Sequence, residues 1–283
     1  MTVNPITAGR VQSAIALASS KTGVDFDYLL GQAKIESGLN ASARAGTSSA
    51  SGLYQFVEQS WLAVVKKHGA EHGLGWAADS ISQGAGGRYT VGDGATRQAI
   101  LGLRNDPTAA SLMAAEHASD NKGELEASLG RTANGTDLYM AHFLGIGGAK
   151  KFLATMAANP DTSAAALFPA AAASNRGIFY ASNGQPRSLS AIYQRFADKL
   201  GAATDSANET RAANLAFASQ ALGMGDDATV VTGNGQSATD ALDWAKQAMA
   251  RFGTGSTTAG ASLLRPTPDT ARLAYMMLAS MGG

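Results

Sequence analysis

Glu36 ends a run whose apolar spacing is helical. Phe26, Leu29, Leu30 and Ala33 follow the i, i+3, i+4, i+7 pattern of a core-facing stripe, and the same stripe continues onto Glu36 and Ser37. The spacing therefore predicts a carboxylic acid at the margin of a buried face, in the last turn before Gly38. Partial burial and the negative end of the helix dipole both favour its uncharged form. An acid that keeps its proton near neutral pH is what protonation of a leaving oxygen requires. The plainer reading of the same spacing is a helix-end glutamate facing solvent.

Other residues invite chemistry less strongly. Glycoside cleavage ordinarily uses two carboxylates. Glu58 follows the segment Gly52-Leu53-Tyr54-Gln55-Phe56, but it opens a helix, where an acidic residue is expected for dipole reasons alone. Glu116 follows Leu112 and Met113 by one turn, which suits a salt bridge at the core edge. There are four histidines. His68 and His72 stand at i and i+4, but Gly69 interrupts their helix and no HExxH pattern exists, so no metal site is read from the sequence. The "GIGG" run, residues 145–148, lacks the Lys-Ser/Thr of a phosphate loop and follows no predicted strand.

The elements that must position these residues are mostly helices. One is expected from about Thr7 to Lys21, ended by Gly23, and a second from a cap at Asp25 or Asp27 to Ser37. Residues 40–51 are small and polar, a loop. "GLYQF" reads as a short strand or extended segment, and Trp61 to His68 as a helix closed by Gly69. The Gly-rich stretch 69–95 carries no clear pattern. Asp106-Pro107 is a helix start with a capping carboxylate and Pro at the first position. Thr136-Asp137 opens "LYMAHFLG", which "GIGG" breaks before "AKKFLATMAA" resumes and Asn159-Pro160 stops it. The segment "IFYASNGQPRSLSAIYQRF" suits either a cap over one end of a cleft or a hairpin-like loop leading into a packing helix. That helix, Ser190 to Leu200, places Ile192, Phe196 and Leu200 on one face, with Gly201 after it.

Beyond Gly201 the chain turns Ala/Gly-rich and low in apolar content. "GTGSTTAGAS" resembles a flexible linker, and short helices are expected around Ala213–Leu222, Ala238–Phe252 and Thr270–Met281. The organisation read here is a domain over 1–201 and a flexible or weakly helical tail over 202–283.

Composition narrows the function classes. Of 283 residues, 45% are hydrophobic and only 16% charged, which suits closely packed helices. Net charge is zero and no Lys/Arg cluster stands out, so no nucleic-acid or anionic-lipid partner is expected. The absence of cysteine excludes disulfides and thiolate chemistry. No run approaches the roughly 18 apolar residues that span a bilayer. The start, "MTVNPITAGRVQSAIALASS", shows no charged region followed by an apolar core. No signal peptide is read there, which leaves prior removal or another export route.

Glu36-Ser37, the small-residue loop with Ala45-Gly46 and Ser51, then Gly52-Leu53-Tyr54-Gln55-Phe56 and Trp61, together resemble the core of the SLT-type lytic transglycosylases, relatives of goose-type lysozyme. In that family a Glu-Ser pair ends a helix and a Gly-Leu-Met-Gln segment follows. The close match covers about residues 25–65, with a looser one to about 155. The family's third motif, Ala-Tyr-Asn-Ala-Gly, is represented only by Ala141-His142-Phe143-Leu144-Gly145. His142 stands at the Tyr position and Phe143 at the Asn position, while Tyr139 lies one turn upstream as a replacement hydroxyl near the acid.

The resemblance implies a mostly α, lysozyme-like domain with a minimal β element, ahead of the Ala/Gly-rich tail. It also implies a cofactor-free enzyme that cleaves the bond between N-acetylmuramic acid and N-acetylglucosamine in peptidoglycan. Glu36 would be acid and then base, with a 1,6-anhydromuramoyl product. Gln55 and Tyr54 would contact sugar amide or hydroxyl groups, with Ser37 holding the acid or the substrate. Packing into the core is an equal role for Tyr54 and Phe56. The implied partner is the glycan strand, the implied location the periplasm or cell wall. Two rivals are a muramidase-type hydrolase using a second carboxylate, and a non-catalytic wall-binding part of a secretion, flagellar or phage machine spanning the wall.

Overall fold

The computed structural model describes residues 5–46 and 48–221, and of 5–8 and 211–221 the backbone alone. In chain order these form α1 (Pro5–Thr22), α2 (Phe26–Ser37), α3 (Glu58–His68), a 3₁₀ turn (Gly69–His72), α4 (Gly75–Ser80), β1 (Ile81–Gln83) and β2 (Tyr89–Val91). There follow α5 (Gly94–Gly102), a second 3₁₀ turn (Leu103–Asn105), α6 (Pro107–Leu129), α7 (Gly135–Ala158), α8 (Ala164–Leu167), α9 (Pro169–Ser174), α10 (Arg176–Phe179) and α11 (Leu189–Ala221). The fold is mostly α with one small antiparallel sheet, in which Ile81 pairs with Val91 and Gln83 with Tyr89.

Local sequence explains the helix ends that matter. The Asp25 carboxylate accepts from the Tyr28 N–H at 2.8 Å, which caps α2. Gly38, at φ 63°, turns the chain out of that helix in the left-handed conformation, and its N–H donates to the last carbonyls. The Asp106 side chain caps α6 with Pro107 behind it. At α7 the cap is Asn134, two residues before the expected start, and it forms a reciprocal capping box with Asp137.

The core is built around α6, which packs against α1, α3 and α7. Its alanines 109, 110, 114, 115 and 118 are buried, and their small volume lets the neighbouring helices approach. Trp61 is fully buried and donates its indole N–H to the Ile100 carbonyl at 2.8 Å, so its one polar atom is satisfied. The Gln59 amide pins the β-hairpin to α3 by exchanging two hydrogen bonds with the Tyr89 backbone, each 2.9 Å.

Two expectations are corrected. "GLYQF" is no strand: residues 52–55 form a turn held by isolated bridges between Arg44 and Ser51 and between Ser51 and Phe56. The hairpin instead lies in the Gly-rich stretch that carried no pattern, where three-residue strands are too short to show alternation. The final helix does not stop at Gly201 but runs on to Ala221. A glycine within a helix costs about 1 kcal/mol, and tertiary packing offsets it here. Ala207 is fully buried, and the Thr204 hydroxyl donates to the Asp27 carbonyl at 3.0 Å. The expected helix at 213–222 therefore falls largely within α11. The linker at 253–262 and the expected helices at 238–252 and 270–281 lie outside the described residues.

As expected, "GIGG" breaks its helix: Gly145 sits at φ 71°, ψ 161° inside α7.

Candidate active site

Glu36 leaves the last turn of α2 half-buried, its side chain 20% exposed. Two groups from the first half of α7 meet it. The Tyr139 hydroxyl donates to Glu36 Oε1 at 3.3 Å, and His142 Nε2 stands 3.3 Å from the same oxygen. Tyr139 and His142 lie three apart on one helix face, so a single element delivers both. Both contacts fall on Oε1.

The Tyr139 ring is held from behind by Phe196 of α11, with centroids 5.2 Å apart, and it lies 5.8 Å from the His142 ring. Phe143 packs on the same Phe196 and on Phe179. The aromatic segment before α11 thus serves as a packing wall behind the site, and its bridge between Tyr180 and Pro186 is hairpin-like. Burial pushes the Tyr139 phenol far above its ordinary pKa, and the Glu36 charge adds to this, so the hydroxyl remains a donor.

Beside His142 a narrow pocket is lined by Tyr28, Gln32, Tyr54, Phe56, His117 and Asn121, among others. Tyr54 is almost fully buried, and burial drives its phenol pKa upward, with the neighbouring Ser111 hydroxyl opposing. His117 has its pKa lowered, first by burial and then by His142, which keeps its ring neutral at pH 7.

The loop between α2 and α3 is shaped by hydrogen bonds to its carbonyls. The Gln55 amide nitrogen donates to Ala43 O at 3.2 Å and Gly52 O at 2.8 Å, with Gln55 itself at φ 48°. Arg104 donates to the carbonyls of Ser49 at 2.7 Å and Phe56 at 3.0 Å, and Ser51 Oγ donates to the Asn105 side chain at 3.0 Å. Gly52, at φ 84°, lies so close to the Arg104 carbonyl that any side chain would collide with it.

Of the residues singled out from sequence, Glu36, Tyr139 and His142 come together, and Tyr54 lines the adjoining pocket. Gln55 spends its amide nitrogen on the loop, and the Ser37 hydroxyl donates back to Ala33 O at 3.0 Å. Glu58 is paired with Arg97, and Glu116 with His72. Sequence reasoning missed Arg104, the clamp of the loop. An isolated Arg in "LRND" carries no periodic or motif signal that could have found it. The sequence matches no protein-family model.

Proposed function

We propose that this protein is a lytic transglycosylase that cleaves peptidoglycan glycan strands, on a lysozyme-like helical domain, in the periplasm or cell wall. One observation carries the reading: a half-buried carboxylate at a helix end, held through one oxygen by a tyrosine and a histidine 103 and 106 residues downstream. Glu36 is the acid. Through Oε2 it gives its proton to the glycosidic oxygen between N-acetylmuramic acid and N-acetylglucosamine as the C1–O bond breaks. As a carboxylate it then takes the proton of the muramoyl C6 hydroxyl, whose oxygen bonds C1. The products are a 1,6-anhydromuramoyl end and a free 4-hydroxyl, and no water is consumed. One group acting as acid and then base needs no second carboxylate. This agrees with Glu58 and Glu116 both being engaged in other ion pairs. Tyr139 and His142 orient the acid and stabilise the carboxylate formed midway.

Mass spectrometry of fragments released from purified peptidoglycan, wild type against Glu36→Gln, tests this. Anhydromuramoyl ends that disappear in the variant are expected. Reducing ends would mean hydrolysis by an activated water. No fragments from either protein, with wall binding retained, would make this a wall-binding component.

A further inference from the structure

We propose that His68, Glu71 and Glu116 form a binding site for one divalent transition-metal ion of the Zn²⁺ type. His68 Nδ1 stands 3.3 Å from Glu71 Oε1 and 3.6 Å from Glu116 Oε2, and all three ligand atoms lie within 4.8 Å of one another. A tetrahedral ion with bonds of about 2.0–2.2 Å separates its ligands by about 3.3–3.6 Å. The two histidine–carboxylate distances already match those edges. Glu71, with a side chain 61% exposed, has the freedom to close the remaining one.

The state of His68 points the same way. Its Nε2 lies 3.0 Å from Asp120 Oδ2, and Lys67 holds the other oxygen of that carboxylate at 2.7 Å. A carboxylate only accepts, so Nε2 carries a proton and Nδ1 is the nitrogen left to meet an ion. Nδ1 is buried without a hydrogen-bond partner, aimed between two carboxylates. Two carboxylate oxygens converging on Nδ1 favour a positive charge between them. A histidine whose second nitrogen is bound by a carboxylate is the usual arrangement around a protein zinc ion. Glu116 is oriented in the same manner, by His72 Nε2 at 2.7 Å from its other oxygen.

The sequence pairing of His68 with His72 hid this set. His68 caps the 3₁₀ turn and Glu71 lies within it, where residues three apart eclipse one another, and Glu116 and Asp120 share one face of α6. The ion would tie the α3 end to α6, it supplies an imidazole-favouring site that disfavours Mg²⁺ and Ca²⁺, and it uses no residue that touches Glu36.

The test is titration of the EDTA-stripped, dialysed full chain with ZnCl₂ by calorimetry, and with Co²⁺ by visible absorption. Expected are one site per chain, a Zn²⁺ affinity at least 100-fold above that for Mg²⁺, a tetrahedral Co²⁺ spectrum and a rise in Tm with Zn²⁺. Glu71→Gln, at an exposed position that leaves folding intact, lowers the affinity at least tenfold, and Glu36→Gln leaves it unchanged. No binding by the folded wild-type chain would overturn the proposal, leaving a proton on Nδ1 as the positive charge there. Affinity unmoved by Glu71→Gln would overturn it equally, by placing the bound ion elsewhere.

Discussion

The hydroxyl of Tyr139 donates to Glu36 Oε1 across 103 residues of chain, from a helix whose own cap and packing fix where that hydroxyl points. A hydrogen bond to a charged group contributes about 1.5–3 kcal/mol. If it strengthens as Glu36 gives up its proton, its loss lowers the rate roughly 10- to 150-fold. Tyr139→Phe keeps the ring on Phe196, so under the proposed function kcat should fall by that factor while KM and Tm hold. A raised KM at constant kcat would instead make Tyr139 a substrate-binding group.

Gly52 tests the loop clamp. Its positive φ alone costs an L-residue about 1–3 kcal/mol, and the collision with the Arg104 carbonyl adds to that. Gly52→Ala should lower Tm by several degrees and abolish activity. Gly46→Ala, in the same loop with open space around it, should do neither. Differential scanning calorimetry of the two variants makes the comparison.

Helix α11 past Gly201 belongs to the packed body. At Gly31 a Cβ would meet Thr204 Oγ1 at 2.5 Å and Leu200 Cδ1 at 2.8 Å, so α2 and α11 touch backbone to side chain there. Gly31→Ala should destabilise by about 1–3 kcal/mol. A chain stopped after residue 201 loses the bonds of Thr204 and Asn208 to Asp27 and the burial of Ala207. It should melt below a chain stopped after 221, and equal Tm values would place the end of the packed body at Gly201.

Alkaline titration reads the burial of the tyrosines. Burial raises the phenols of Tyr28, Tyr54 and Tyr139 well above the ordinary value of about 10. Their folded values exceed the unfolded one, so their contribution to stability is whole below about pH 10 and declines as the pH climbs from there. Tyrosinate absorbance at about pH 11 should fall short of the value for all seven tyrosines. The remainder should ionise together with unfolding. Seven titrating independently would contradict the burial.

The helices around the site could be read from the sequence because their signals are local. Asp25, Gly38, Asp106-Pro107 and the glycine break in α7 each act within a few residues. Glu36 was legible because helical spacing carries a face forward one turn at a time. Arg104 was not, since its role is to grip carbonyls some 50 residues away, and a carbonyl has no letter in the sequence. Gln55 shows the same limit. Its amide suits a sugar as well as it suits a tight turn, and its bonds to Ala43 O and Gly52 O are again to carbonyls that the sequence does not spell. Gly201 misled because helix-stopping propensity was outweighed by the face that Thr204 and Ala207 present to α2.

The glycine at 145 makes α7 two short rods that meet at a kink. Its φ and ψ lie where only glycine is at ease. Tyr139 and His142 thus stand on one rod, while the other is held by its own contacts, Lys150 with Glu124 and Phe152 with Phe168.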